Sequence, residues 1–181
     1  MTRLPALTDH PVTFWLTGLS GAGKSTLAQA LAKALREQGS ACFVLDGDLV
    51  RQGLCRDLGF TPEDRAENIR RIAEVARLMN EAGLIVITAF ISPYAVDRSS
   101  ARTCIGHRRF LEVHLSTALD VCEQRDPKGL YGRARCGQLP DFTGISAPYE
   151  PPGEPELSLD TASASLDVCV QSCLGLLVDR G

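Results

Sequence analysis

Nine consecutive residues, Gly18-Leu19-Ser20-Gly21-Ala22-Gly23-Lys24-Ser25-Thr26, follow the apolar run at 12–17. Glycines at three of these positions let backbone N–H groups turn inward onto phosphate oxygens. Lys24 would neutralise charge at the β- and γ-phosphates, and Ser25 would offer a hydroxyl to Mg²⁺. A helix starting at Lys24 would point the positive end of its dipole at the same anion. The pattern reads as a loop that holds a nucleoside triphosphate; a chance match in a glycine-rich turn is the alternative. Such a loop leaves open whether the γ-phosphoryl group goes to water, stays as a signal or passes to a second substrate.

The carboxylates favour the last of these. A motor or switch NTPase places a metal-holding Asp after four apolar strand residues, yet Leu84-Ile85-Val86-Ile87 is followed by Thr88-Ala89-Phe90. Acidic side chains instead close Phe43-Val44-Leu45-Asp46-Gly47-Asp48. One member of such a pair can orient Mg²⁺ through water while the other accepts the proton of an incoming hydroxyl. Asp46 suits the first role and Asp48 the second, although the same stretch would also cap a helix beginning near Leu49. The sequence has no Asn/Thr-Lys-x-Asp motif to read guanine. Phosphoryl transfer to a hydroxyl is the expected chemistry.

Those loops need a scaffold. Runs rich in β-branched residues at 12–17, 41–45, 84–88 and 110–115, with a weaker one at 156–159, alternate with helical patterns at 24–38, 63–82, 117–124 and 166–178. The alternation predicts an α/β fold, a three-layer domain of the P-loop NTPase type with a central parallel sheet. Ligands of such sheets sit outside the carboxyl ends of the strands, where the glycine loop and the Asp pair fall. The helix at 63–82 has Thr61 as cap, Pro62 at its first position and Glu63 and Asp64 in its first turn. Ile69, Ile72, Ala73, Ala76 and Met79 mark its core face, and Arg65, Asn68 and Arg71 are expected to share another stripe. From about 126 to 155, Gly, Pro and basic residues are frequent and apolar pieces short, which predicts a long loop acting as a lid. Residues 12–181 are expected to form the kinase domain, preceded by an N-terminal extension at 1–11.

With 181 residues, 44% apolar and 23% charged, the chain suits one globular domain. No apolar run reaches the roughly 18–20 residues of a membrane span. Residues 1–11 lack the apolar stretch of a secretory signal, so a cytoplasmic protein with no membrane partner is expected. A net charge of −3 argues against a broad nucleic-acid surface. Basic charge is nonetheless concentrated at Arg125, Lys128, Arg133 and Arg135. Seven cysteines, odd in number and without a Cys-x-x-Cys pair, read as reduced thiols filling apolar space.

Four stretches together resemble the adenylyl-sulfate kinases. They are Gly18 to Ser25; Asp46-Gly47-Asp48-Leu49-Val50-Arg51; Gly59-Phe60 leading to Arg65-Ala66-Glu67-Asn68-Ile69-Arg70-Arg71; and Ala89-Phe90-Ile91-Ser92-Pro93-Tyr94. A fifth, from Arg125-Asp126-Pro127-Lys128 through Phe142-Thr143-Gly144, resembles the family's lid. The resemblance implies that the γ-phosphoryl group of ATP passes to the 3′-hydroxyl of adenylyl sulfate, giving 3′-phosphoadenylyl sulfate and ADP in sulfate assimilation. It further implies Mg²⁺ as cofactor, a homodimer, and functional coupling to a sulfate adenylyltransferase. The acceptor pocket it implies comprises Asp48, Leu49, Val50, Arg51, Phe60, Arg65, Asn68, Ile91, Ser92, Lys128 and Phe142, with Arg125 on the ATP side.

The residue chemistry suits that assignment. Phe60 offers a stacking face, Arg51 and Arg65 offer planar forks to phosphate and sulfate oxygens, and Asn68 offers hydrogen bonds. Each also has a structural alternative: Phe60 in the core, the arginines on a solvated face, Asn68 exposed on a helix. By resemblance, the serine matching Ser92 is often a phosphoenzyme intermediate in the family, yet a Ser-Pro turn supplies no adjacent His or Lys base. A substrate-contacting hydroxyl with direct in-line transfer is therefore expected. Leu49, Ala95, Gly132 and Asp141 depart from the family pattern. The remaining alternatives are another small-molecule P-loop kinase with a nucleoside or sugar acceptor, and a nucleotide-binding regulatory protein without transfer activity.

Overall fold

The computed structural model describes residues 11–178; all but Pro11 of the expected extension, and the last three residues, lie outside it. The order is β1 (Thr13–Thr17), α1 (Lys24–Glu37), β2 (Cys42–Asp46), α2 (Gly47–Gln52), α3 (Pro62–Glu81) and β3 (Ile85–Ala89). There follow α4 (Ala95–Ile105), β4 (Phe110–Leu115), α5 (Leu119–Arg125), α6 (Leu130–Arg135), β5 (Leu157–Leu159) and α7 (Leu166–Val178). The strands form one parallel sheet in the order β2-β3-β1-β4-β5. The architecture is the expected three-layer α/β fold.

β1 and β3 are buried along their whole length, as central strands covered on both faces must be. Alternation along β1 divides the core. Phe14 and Leu16 pack with α1 and α7 through Leu27, Leu31, Cys173 and Leu177. Trp15 faces the opposite layer with Ile72, Ala76, Ala101 and Phe110 from α3, α4 and β4. The edge strand β2 is less covered and leaves Phe43 exposed. All seven cysteines are free thiols. Among the described residues no helix is long and apolar enough to cross a membrane.

α3 begins as its sequence predicts, with Thr61 Oγ1 accepting from the Asp64 N–H at 3.2 Å. Two other helices have weak sequence signals. α4 carries Ser99, Ser100 and Thr103 and buries Arg98 beside Ala101 and Ile105, so its inward face does not look apolar. α6 interrupts the segment at 126–155, which is therefore not one long loop. It is nucleated by the Asp126 carboxylate, which accepts from the N–H groups of Tyr131 and Gly132, both at 3.1 Å.

One buried amide ties the layers together. Asn80, 2% exposed near the end of α3, donates to the carbonyls of Val12 and Leu84 at 3.1 and 2.9 Å and accepts from Thr13 Oγ1 at 2.8 Å. Replacing it by Ala strands the Thr13 hydroxyl and the Leu84 carbonyl, while the Val12 carbonyl keeps the Val86 N–H, so Asn80→Ala should lower unfolding free energy by about 2–4 kcal/mol. Urea denaturation of the nucleotide-free protein measures this, and a change below about 0.5 kcal/mol would contradict the bridging role.

Candidate active site

Because β2, β3 and β1 are neighbours, the segments leaving their carboxyl ends meet in one cleft of about 820 Å³. Ser20, Gly21, Gly23, Lys24, Ser25 and Thr26 line the donor side, and Asp46 and Asp48 stand beside them. The loop is held from beneath. A Cβ on Gly18 would lie 2.7 Å from the Leu115 carbonyl oxygen, and one on Gly21 would lie 2.9 Å from that of Cys122. Both glycines also have positive φ, at 148° and 78°. Ala22 is buried, and Lys24 Nζ donates to the carbonyls of Gly18 and Leu19 at 2.8 and 2.7 Å. Burial lowers the Lys24 pKa from 10.5 to about 8.

Ser25 Oγ donates to Asp46 Oδ2 at 2.6 Å, and Asp46 Oδ1 accepts from the Asp48 N–H at 3.0 Å. Asp46 thus caps α2 and reaches the phosphate loop at once. A hydroxyl and a carboxylate so close form a hard-oxygen donor pair of the kind Mg²⁺ prefers, so these residues fit that ion.

The opposite wall of the cleft, where the acceptor is expected, is built from α2, α3, the turn after β3 and the segment at 126–155. Arg51 lies 4.3 Å and Arg65 5.9 Å from the centre of the Phe60 ring, which is 61% exposed and so is not core. Arg51 also donates to the carbonyls of Leu58 and Gly59, and Arg65 to that of Phe60, which fixes the turn carrying the ring. Arg65 reaches across to the lid, bonding Thr143 Oγ1 at 3.0 Å and the Asp141 carbonyl at 2.6 Å. Asn68 is 5% exposed, lines the cleft, and its Oδ1 has no hydrogen-bond partner within the protein. Lys128 forms an ion pair with Asp48, drawing the lid onto the Asp pair.

Ile91 and Ser92 line the cleft floor. Ser92 is 2% exposed, has φ 40°, and its Oγ accepts from Trp15 Nε1 at 3.2 Å. Phe142 meets Tyr131 edge-on, and the Tyr131 hydroxyl donates to the Ser20 carbonyl at 2.9 Å, so the lid rests on the phosphate loop.

Some expected residues lie elsewhere. Leu49 is exposed and Val50 is packed in the core, and neither side chain lines the cleft. Arg71 pairs with Asp57 and Glu67 rather than joining Arg65 and Asn68. Six residues along a helix carry a side chain about 120° away from its start, so the proposed stripe turns out of the site. Arg135 is engaged by Glu123. Arg125 does line the cleft, donating to the carbonyls of Gly21 and Thr161 at 3.3 and 2.8 Å. Beyond it lie Thr161, Ala164, Leu166 and Cys169, which sequence spacing did not single out. Their one signal was position: they follow the carboxyl end of β5.

The family model for adenylylsulphate kinase matches residues 10–160. Adenylyl-sulfate kinases of Acaryochloris marina and Shewanella baltica are 55% and 57% identical over 167 and 169 residues, covering 92% and 93% of this chain and 82% of each relative. A solved structure of the Mycobacterium tuberculosis APS kinase in complex with AMPPNP and APS has a TM-score of 0.89 to this chain at 45% identity. It covers 93% of this chain and 98% of its own.

With a pKa near 8, Lys24 is partly neutral in mildly alkaline solution. Phosphates brought beside it favour the ammonium, so nucleotide binding at pH 8.5 should take up protons, and affinity should fall as pH rises through about 8. Calorimetry in buffers of different ionisation enthalpy reads the uptake directly; none at pH 8.5 would contradict a buried, uncompensated Lys24. The sign for folding is opposite. The unfolded chain holds the proton up to about 10.5, so this group makes the nucleotide-free protein more stable as pH rises from about 8 to 10.5.

Proposed function

The chain belongs to the adenylyl-sulfate kinase family, and we propose that it transfers the γ-phosphoryl group of ATP to the 3′-hydroxyl of adenylyl sulfate in sulfate assimilation. The hydrogen-bonded series Ser25–Asp46–Asp48 carries this reading, because it joins the triphosphate loop to the acceptor side of a single cleft.

In this mechanism the loop N–H groups and Lys24 receive the charge that develops on the transferring group. Ser25 and Asp46 would hold Mg²⁺, which would supply charge neutralisation to the triphosphate. Asp48 takes the proton of the attacking hydroxyl, which requires Lys128 to leave it for the anionic acceptor as that acceptor enters. Phe60 stacks the adenine, while Arg51 and Arg65 face the phosphosulfate. Unpartnered Asn68 Oδ1 needs a donor, and the substrate's hydroxyl and amino edges can provide one. The lid, about 126–155 within a kinase domain at 12–181, excludes water that would otherwise hydrolyse ATP. Ser92, its hydroxyl already bonded to Trp15, shapes the acceptor floor while transfer proceeds in line.

ATP and its acceptor are polyanions that do not cross bilayers, which supports a cytoplasmic site of action, and the net charge of −3 supports the absence of a nucleic-acid partner. A homodimer, and functional coupling to a sulfate adenylyltransferase that makes the acceptor, complete the proposal.

ADP release that depends on both adenylyl sulfate and Mg²⁺ tests the activity. Lys24→Ala should abolish it, whereas Asp48→Asn should retain ATP binding and lose about 10²–10⁴ in kcat, the usual worth of a general base. Native turnover by Asp48→Asn would remove Asp48 from the proton-transfer role. Folded protein without acceptor-dependent ADP release would remove the function itself.

A further inference from the structure

Arg98 lies outside the cleft lining, yet it grips the cleft floor from behind. It is 3% exposed on α4, and its guanidinium spans three chain segments. Nε donates to Glu112 Oε1 on β4 at 2.8 Å, Nη1 to the Ser92 carbonyl at 2.8 Å, and Nη2 to the Glu150 carbonyl at 2.7 Å. Glu112 alone would neutralise a buried cation; the two carbonyls fix where the other segments sit.

Ser92 lines the cleft, and Glu150, outside the lining, is tied to the same turn through Pro93 and Ala95. Ser92 occupies the left-handed region at φ 40°, which a residue with a Cβ keeps only where its surroundings over-determine it. The bonds that do so include Trp15 Nε1 to the Ser92 hydroxyl, Arg98 and Thr17 Oγ1 to the Ser92 carbonyl, and Thr17 Oγ1 to the Ile91 carbonyl at 2.7 Å. Glu150 lies in the returning part of the segment at 126–155. Its N–H donates to the Pro93 carbonyl and its carboxylate accepts from the Ala95 N–H, while Tyr149 bonds Thr17 and faces Arg98. One guanidinium therefore holds the Ile91–Ser92 floor and the far anchor of the lid in fixed register.

We propose that Arg98 is a positioning residue for the acceptor, holding Ile91–Ser92 and the lid's anchor at 149–150 where adenylyl sulfate binds. The proposal rests on the function given above. Lysine keeps the charge opposite Glu112 but has no planar fork to reach both carbonyls. Relative to the unaltered protein, Arg98→Lys should raise KM for adenylyl sulfate by about tenfold and leave KM for ATP within about twofold. A purely structural loss would not single out the acceptor. Trp15, the sole tryptophan, reports the same turn: its emission should change on adding adenylyl sulfate to the unaltered protein and change less in Arg98→Lys.

Glu150 is exposed, so Glu150→Ala keeps the fold while freeing the Ala95 N–H, and should raise the acceptor KM by about two- to threefold. Unchanged constants in Arg98→Lys, or equal rises in both KM values, would overturn the assignment. If Arg98→Lys does not fold, the paired variant Arg98→Met with Glu112→Gln removes the buried cation together with its partner charge, and a native acceptor KM there would overturn the assignment equally. If the unaltered protein shows no acceptor-dependent turnover, it is the functional reading that fails, and Trp15 emission still tests whether Arg98 governs adenylyl-sulfate binding.

Discussion

The Ser25–Asp46 hydrogen bond joins two loops that the chain separates by 21 residues. It can form because β2 and β1 flank β3 in a parallel sheet, so both loops leave the same edge in the same direction. Everything else at the site is arranged about that contact. Asp46 caps α2, α2 carries Asp48 and Arg51 toward the acceptor, and α1 begins at Lys24 directly after the glycine turn.

Charge and burial then oppose each other at Lys24. Its ammonium lies almost out of solvent and relies on two loop carbonyls, an arrangement that burial makes costly. Phosphate oxygens offer far stronger partners than carbonyl dipoles. The loop is thus built so that an anion relieves what folding imposes on its lysine. Lys128 and Asp48 repeat the principle on the acceptor side, where a surface ion pair of small worth can yield to a substrate of higher charge. At each end of the cleft the protein's own polar groups stand in weakly for the ligand.

How much of this was legible in the sequence follows from how local each requirement is. The phosphate loop depends on glycines and a lysine within nine residues, and the central strands on unbroken apolar runs, so both read directly. The acceptor side depends on burial, which single residues conceal. Taken singly, Asn68 could equally be an exposed helix residue and Phe60 part of the core; burial with an unpartnered Oδ1, and exposure beside two arginines, are visible only in the fold. α4 was hidden because its inward face includes an arginine, whose burial depends on the distant Glu112 and on the Ser92 and Glu150 carbonyls. Thr161, Ala164, Leu166 and Cys169 reach the cleft through the position of a three-residue strand, β5, which no spacing rule encodes.

The departures from the family pattern fall where this logic can absorb them. Leu49 points to solvent rather than into the cleft. Ala95 sits at the first position of α4, where its backbone N–H, not its side chain, meets Glu150. Gly132 likewise contributes an N–H to Asp126, closing the first turn of α6. Asp141 adopts φ 53°, a conformation Asp tolerates better than most residues, and gives its carbonyl to Arg65. In the last three cases the fold uses main-chain groups that any residue of suitable conformation supplies. Side-chain identity at these positions is therefore loosely constrained, whereas it is tightly constrained at Lys24, Ser25, Asp46 and Asp48, where no backbone atom can replace the group.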